Sequence, residues 1–318
     1  MTAAVGTTVA AIDCGTNSIR LYVARQERDG LIELTREMRI VRLGQGVDAT
    51  GRFADEALDR VRAALDDYVD TALRLGAGAV RMVATSAARD VSNRDTFLAL
   101  TAAALGRITP GAQAEVIAGT EEAELSYLGA TAGLSATDPV LVVDLGGGST
   151  ELVSGSAGVV ADAYSANIGC VRITERALPS DPPTDAEIAA ARGVIDAALD
   201  QATEVVPLTG VRTWIGVAGT FTTLAALDLG LADYDPARIH GARVPLDRLV
   251  DLCARLVGMP SAQRLALGPM HPGRADVIGG GALVVIALAE RLAAAGVTEL
   301  MVSEHDILDG VAIGLLRG

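Results

Sequence analysis

Asp144 and Glu151 flank a run of three glycines and two hydroxyl residues, Gly146-Gly147-Gly148-Ser149-Thr150. Glycine lets the backbone turn sharply and aim several N–H groups at one point, and without side chains a bulky anion can approach. Carboxylates on either side of such a loop suit a divalent cation, since Mg2+ characteristically joins one or two carboxylates to phosphate oxygens. These residue types at this spacing point to chemistry on phosphate. The plainer alternative is a hairpin whose glycine-rich turn does nothing but turn, because short glycine motifs have many chance matches. The opening of the chain repeats the plan: an apolar run, then Asp13-Cys14-Gly15-Thr16-Asn17-Ser18, then a second apolar run. The two copies lie roughly 130 residues apart, too far for a solenoid repeat and suited to two duplicated domains.

Other stretches carry weaker signals. Gly119-Thr120-Glu121-Glu122-Ala123 puts two carboxylates in what reads as a first helical turn. The helix dipole and unpaired N–H groups favour anions there, so dipole partners are the ordinary explanation. A carboxylate kept ionised at a helix start and facing a phosphate is also what activation of water requires, although that stabilisation weakens it as a base. Thr85-Ser86-Ala87-Ala88-Arg89 follows a short apolar strand, where α/β proteins place ligands; a helix N-cap with a solvated arginine is an equal alternative. Val217-Ala218-Gly219-Thr220 is a third such junction, suited to a close ligand and nearly as well to a plain helix start. His240, His271 and His305 show no metal-ligand spacing, and Cys14, Cys170 and Cys253 form neither a CxxC pair nor an even set. Structural or surface histidines and reduced thiols follow.

The elements that must hold these residues follow from hydrophobic spacing. Residues 9–12 and 140–143 read as buried strands, and 19–25 and 31–41 as further strands joined by a turn at Asp29-Gly30. Leu58, Val61, Leu65, Val69 and Leu73 recur near a period of 3.6 and predict an amphipathic helix over 54–75. A strand over 80–84, a helix over 95–105 and a strand over 114–117 complete the first half. Small residues over 133–139 mark a boundary, giving domain I over 1–135 and domain II over 136–305. In the second half strands run from 140 to about 163. Thr184-Asp185-Ala186-Glu187 reads as a capping box opening a helix to about 204. A strand over 212–216, helices over 246–257 and 274–295, a strand over 299–302 and a last helix to 316 follow.

At 318 residues, half of them apolar, the chain is long enough for two ordinary cores. Its longest uncharged apolar run, 277–289, is shorter than the roughly 20 residues needed to span a bilayer. No basic region leads into an apolar segment at the N-terminus. A soluble cytoplasmic protein without membrane attachment is the expectation. The net charge of −14 disfavours nucleic acid, which needs a basic face. The same charge repels an anionic substrate, so binding must come from backbone N–H groups, a few arginines and a metal ion.

Five motifs occur in order: the Asp13 to Ser18 opening, Gly119-x-Glu121-Glu122-Ala123, Asp144 to Glu151, Gly169-x-Val171-Arg172-x-Thr174-Glu175, and Gly219-Thr220-x-Thr222-x-Leu224-Ala225. Together they resemble the exopolyphosphatase / guanosine pentaphosphate phosphatase (Ppx/GppA) family, in its short two-domain form. The resemblance implies an α/β, actin-like ATPase (ribonuclease H-like) duplicated fold. Two domains with mixed five-stranded sheets would surround an interdomain cleft, with the last helix, 306–318, packing back on domain I. It implies Glu122 as general base toward the attacking water, and Asp144 and Glu151 as ligands of Mg2+, with Mn2+ an alternative. Thr16, Asn17 and Ser18, with Gly146, Gly147, Gly148, Ser149 and Thr150, would cradle phosphate. Arg89 and Arg274 match phosphate-contacting arginines, whose planar fork suits oxyanions.

The implied reaction is hydrolysis of the terminal phosphoanhydride of inorganic polyphosphate by in-line attack of water, releasing orthophosphate. Positioning and charge neutralisation would dominate it. Guanosine pentaphosphate is an alternative substrate, because it too presents a terminal anhydride phosphate. An ATP-binding kinase or switch on the same fold, or a catalytically weak polyphosphate or nucleotide sensor, are rivals of other classes. A homodimer is the expected assembly.

Overall fold

The computed structural model describes residues 4–28 and 30–317. The chain divides into two units, Met1–Leu125 with Ile307–Gly318, and Ser126–Asp306. The first begins with β1 (Thr8–Cys14), β2 (Ser18–Glu27) and β3 (Gly30–Ile40). It continues through α1 (Val47–Thr50), α2 (Asp55–Arg74), β4 (Ala79–Ala84), α3 (Ser86–Arg89), α4 (Arg94–Leu105) and β5 (Glu115–Val116) into α5 (Gly119–Thr131). Its sheet has the order β3-β2-β1-β4-β5, antiparallel between β1, β2 and β3 and parallel between β1, β4 and β5. β1 is buried throughout, and its period of two sends alternate residues to opposite faces. Ala10, Ile12 and Cys14 join a core with Leu58, Val61 and Leu65 of α2 and Phe97 of α4, whereas Val9 and Ala11 join a core on the other face. α2 is the amphipathic helix expected over 54–75, except that Leu73 at its end is exposed. The turn expected at Asp29-Gly30 lies partly outside the described residues; Gly30 opens β3.

The second unit contains β6 (Val140–Leu145), β7 (Thr150–Ser156), β8 (Val159–Ala166), α6 (Cys170–Ala177), α7 (Asp185–Val205), β9 (Thr213–Val217) and α8 (Ala218–Asp228). Then come α9 (Pro236–Ile239), β10 (Arg243–Pro245), α10 (Leu246–Gly258), α11 (Ser261–Leu265), α12 (Ile278–Ala294) and β11 (Glu299–Val302). Its sheet has the order β10-β11-β9-β6-β7-β8, so β8-β7-β6-β9-β11 repeats the first sheet strand for strand. The sixth strand, β10, goes beyond the five expected. Three residues ending in a proline carry no readable period. Thr184 and Glu187 form the expected capping box at the start of α7. α12 starts four residues later than expected, after turns that follow Pro272-Gly273. Its apolar run is buried among other helices and strands rather than long enough for a bilayer, and among the described residues no helix is long and apolar enough to cross a membrane.

α13 (Ile307–Arg317) returns to the first unit and covers the second face of its sheet. Ile307, Leu308, Val311, Ala312 and Leu316 meet Val9, Ala11, Tyr22, Ala24 and Val83 there. The buried Asp309 accepts two hydrogen bonds from Arg36, at 2.8 and 3.2 Å, and the Arg36 guanidinium lies 4.3 Å from the centre of the Tyr22 ring. Gly310 crosses the backbone of Leu125 so closely that a Cβ would stand 2.1 Å from its carbonyl oxygen. The division between units falls inside α5, after Leu125, rather than after residue 135. Small residues mark where the chain bends; where contacts pass from one core to the other is set by packing.

Candidate active site

Each unit places a tight turn at the tip of its first hairpin. Gly15 N–H donates to Ser18 O at 2.9 Å between β1 and β2, and Gly146 N–H to Ser149 O at 3.0 Å between β6 and β7. Both turns are pinned from behind by the segment that follows the third strand. In the first unit Gly44 N–H holds Thr16 O (2.8 Å), while Val41 and Arg42 N–H hold Asn17 O (3.0 and 2.8 Å). In the second, Cys170 N–H holds Gly146 O (3.0 Å), and Val171 and Arg172 N–H hold Gly147 O (2.9 and 3.0 Å). A trans peptide directs its C=O and the next N–H in opposite directions. The amides of Gly147 and Gly148 therefore point away from α6, and among the described residues they meet no acceptor. Successive N–H groups turned to one side make an anion-binding concavity.

Strand register places the carboxylates. Asp144 stands directly opposite Glu151, and both are buried. Ser126 Oγ donates to Asp144 Oδ2 at 2.6 Å and Ser165 Oγ to Glu151 Oε1 at 2.7 Å. Like charges at directly opposed positions destabilise a hairpin. The first unit solves the same problem with its own cation: Asp13 stands opposite Arg20, whose Nη2 and Nε donate to Asp13 Oδ2 at 2.7 and 3.1 Å. An all-oxygen donor pair fits a hard divalent ion such as Mg2+. Among the described residues no group of three or more His, Cys, Asp or Glu side chains is arranged for a metal. An ion held by this pair would complete its shell from water and substrate.

α5 separates its two glutamates. Glu121 faces Arg81, at 2.6 Å, as an ordinary surface ion pair. Glu122 is 7% exposed and accepts from Arg89 Nη1 at 2.8 Å, while Arg89 also donates to Ile117 O at 3.1 Å. The expected base and an expected phosphate arginine are thus brought together. One turn after Glu122, on the same helix face, stands Ser126.

Arg274 seats its guanidinium against the backbone of Gly219, at the start of α8, and donates from Nη1 to Thr223 Oγ1 at 2.7 Å. Ala218, just before, has φ +71°, a conformation that costs a residue with a side chain and tends to cluster at functional sites. Burial pushes the Cys170 thiol up to about 11, and the Arg274 charge pulls it the other way. Thr16 is buried, Asn17 and Ser18 half-buried, and Ser149 is 2% exposed.

Thr150 departs from the expected cradle. It pairs with Leu145 on the core face, opposite to Glu151, and its hydroxyl donates inward to Ile168 O. The period of two that aims Glu151 at Asp144 necessarily turns Thr150 away. Arg20, Ser126, Ser165 and the Arg172 side chain were not among the expected site residues. Arg20 had a readable signal, for it lies seven residues after Asp13 as Glu151 does after Asp144. The two serines had none, because their roles depend on register between distant segments.

Residues 22–316 match the Ppx/GppA phosphatase family. The Exopolyphosphatase 2 of Mycobacterium tuberculosis (strain ATCC 25618 / H37Rv) is 59% identical over 315 residues, covering 97% of this chain and 98% of that protein. The crystal structure of an exopolyphosphatase-like protein is 44% identical and superposes with a TM-score of 0.91, over 98% of both chains. A nucleoside triphosphate hydrolase of Neospora caninum, 12% identical with a TM-score of 0.55 over 98% of this chain and 92% of that one, shares the fold alone.

Proposed function

The chain belongs to the Ppx/GppA phosphatase family and has the actin-like ATPase fold, and from that premise we propose that it is an exopolyphosphatase. It hydrolyses the terminal phosphoanhydride of inorganic polyphosphate and releases orthophosphate. The observation that carries this reading is the Gly146–Ser149 turn, whose pinned carbonyls send its amides to one side, at the end of the hairpin that opposes Asp144 to Glu151. The relative named Exopolyphosphatase 2, matched over nearly its whole length, supports the same substrate.

The Gly147, Gly148 and Ser149 amides, the Ser149 hydroxyl, and Thr16, Asn17 and Ser18 bind oxygens of the phosphate chain. Asp144 and Glu151 would hold Mg2+, or Mn2+, which when bound neutralises phosphate charge. Arg89 and Arg274 supply further cationic contacts, and phosphate oxygens compete with Glu122 for the Arg89 guanidinium. Glu122, so released, takes a proton from the attacking water. The water oxygen bonds to the terminal phosphorus as the bridging P–O bond breaks, and the shortened chain keeps the bridging oxygen and its electron pair. The buried thiols Cys14, Cys170 and Cys253 support a reducing compartment, the cytoplasm. We place the chain there as a homodimer; a monomeric mass by light scattering removes that assembly.

Phosphate release from short and long polyphosphate, and from guanosine pentaphosphate, with and without Mg2+, tests the reading. Release from polyphosphate is expected, and its absence with active release from pentaphosphate replaces the substrate. Glu122→Gln is expected to keep polyphosphate binding while kcat falls by on the order of 10²–10⁴. Turnover near wild type removes Glu122 as the base.

A further inference from the structure

We propose that Arg172 is a positioning residue of the phosphate cradle: its side chain sets the last amide of the turn, and the first turn of α6 sets the other two. The inference rests on the reading of Gly146–Ser149 as a phosphate site. A helix start leaves several backbone N–H groups without intrahelical partners, and such groups often bind anions themselves. α6 commits them differently. Cys170 N–H takes Gly146 O, and the Val171 and Arg172 N–H groups share Gly147 O, at 2.9 to 3.0 Å. The third carbonyl of the turn is met by a side chain: Arg172 Nε donates to Gly148 O at 2.7 Å, and Arg172 is 8% exposed.

Planarity turns these contacts into a statement about the opposite side of the turn. Fixing the carbonyls of Gly146, Gly147 and Gly148 fixes the N–H directions of Gly147, Gly148 and Ser149, all away from α6. Without the Nε contact the peptide between Gly148 and Ser149 is hinged on a glycine, whose dihedrals have the widest range. Once flipped, it would present a carbonyl oxygen, with partial negative charge, where the cradle needs a donor. Close approach makes the arrangement possible. A Cβ on Gly169, the residue before α6, would stand 2.4 Å from the carbonyl carbon and oxygen of Gly147 and 2.6 Å from Gly148 N. Those neighbours are backbone atoms and cannot swing aside. In the equivalent turn of the first unit, backbone N–H groups of Val41, Arg42 and Gly44 hold the Thr16 and Asn17 carbonyls, the job that the Arg172 side chain shares in the second.

The test uses the full-length protein labelled with 15N-glycine and titrated with orthophosphate, alongside polyphosphate hydrolysis kinetics and circular dichroism. In the wild type the Gly147 and Gly148 amide resonances shift with phosphate. Arg172→Met keeps the aliphatic stem and deletes the donor. Its phosphate affinity is expected to fall about tenfold, or ~1.4 kcal/mol, with KM rising in step and kcat changing by less than about threefold. Arg172→Lys, which restores one donor, recovers part of the loss. A merely structural role would lower the folded fraction and kcat while leaving KM and phosphate affinity alone, and that result overturns the proposal. Wild-type shifts retained at wild-type affinity in Arg172→Met overturn it alone; no shift in the wild type overturns the phosphate reading of the turn as well. If Arg172→Met does not fold, Gly169→Ala presses on the same turn from the helix start and is judged by the same affinity and KM.

Discussion

Asp144 and Cys170 show how little of a side chain's role lies in its type. Asp144 faces a second carboxylate across a hairpin, and the proposed Mg2+ would offset the two charges. Asp144→Asn is expected to raise the Mg2+ concentration for half-maximal hydrolysis by about tenfold or more; an unchanged metal dependence takes it out of the ligand set. Cys170 sits at the first position of α6, where a helix dipole favours a thiolate, yet burial outweighs the dipole and holds the thiol at about 11. Burial pushes Cys14 and Cys253 up as well. Iodoacetamide is therefore expected to leave the native protein unlabelled and its hydrolysis unchanged; adducts by intact mass under native conditions would contradict that burial. At this scale the acidic residues and glycines stand out in the sequence because their spacing is local. It could not separate Glu121 from Glu122 by composition. Only the helix surface decides which of two neighbours meets solvent and which meets Arg89.

Two hairpins with one design show what an element contributes. β1–β2 and β6–β7 share the turn hydrogen bond, the register and the carboxylate, and differ at the residue opposite it, Arg20 or Glu151. The first hairpin is charge-balanced by its own sequence and the second is not. Manganese titration followed by electron paramagnetic resonance is expected to find one site in the wild type, and a second, weaker one in Arg20→Glu. A folded Arg20→Glu that still binds one ion would show that opposed carboxylates alone do not make a metal site. Paired strands, α2 and the capping box of α7 were legible, since alternation, a 3.6 period and a Thr-x-x-Glu signature act over a few residues. β10 and the true start of α12 were not. A three-residue edge strand has no pattern, and Val277 offers no capping side chain.

The whole chain was legible as a duplication, because its two Asp–Gly turns announce themselves, while the point of division was not. α5 runs through that point without a break. The first unit is completed by α13, whose Asp309 is tied to Arg36. Asp309→Ala leaves that arginine, partly exposed, without its deepest carboxylate. It is expected to cost about 1–3 kcal/mol in denaturant unfolding, and a loss under about 0.5 kcal/mol would show that apolar contact alone holds the helix. The order of those segments also has a consequence for biosynthesis. A ribosome finishes the sheet begun at Thr8–Cys14 long before it reaches Ile307, so one apolar face of the nascent chain waits uncovered while residues 126–306 are translated. At about 5–20 residues per second that delay is roughly 10–40 s. The later-made unit, continuous in the chain, is complete before the earlier one, and a chain stalled short of α13 becomes a client for chaperones that hold exposed hydrophobic surface.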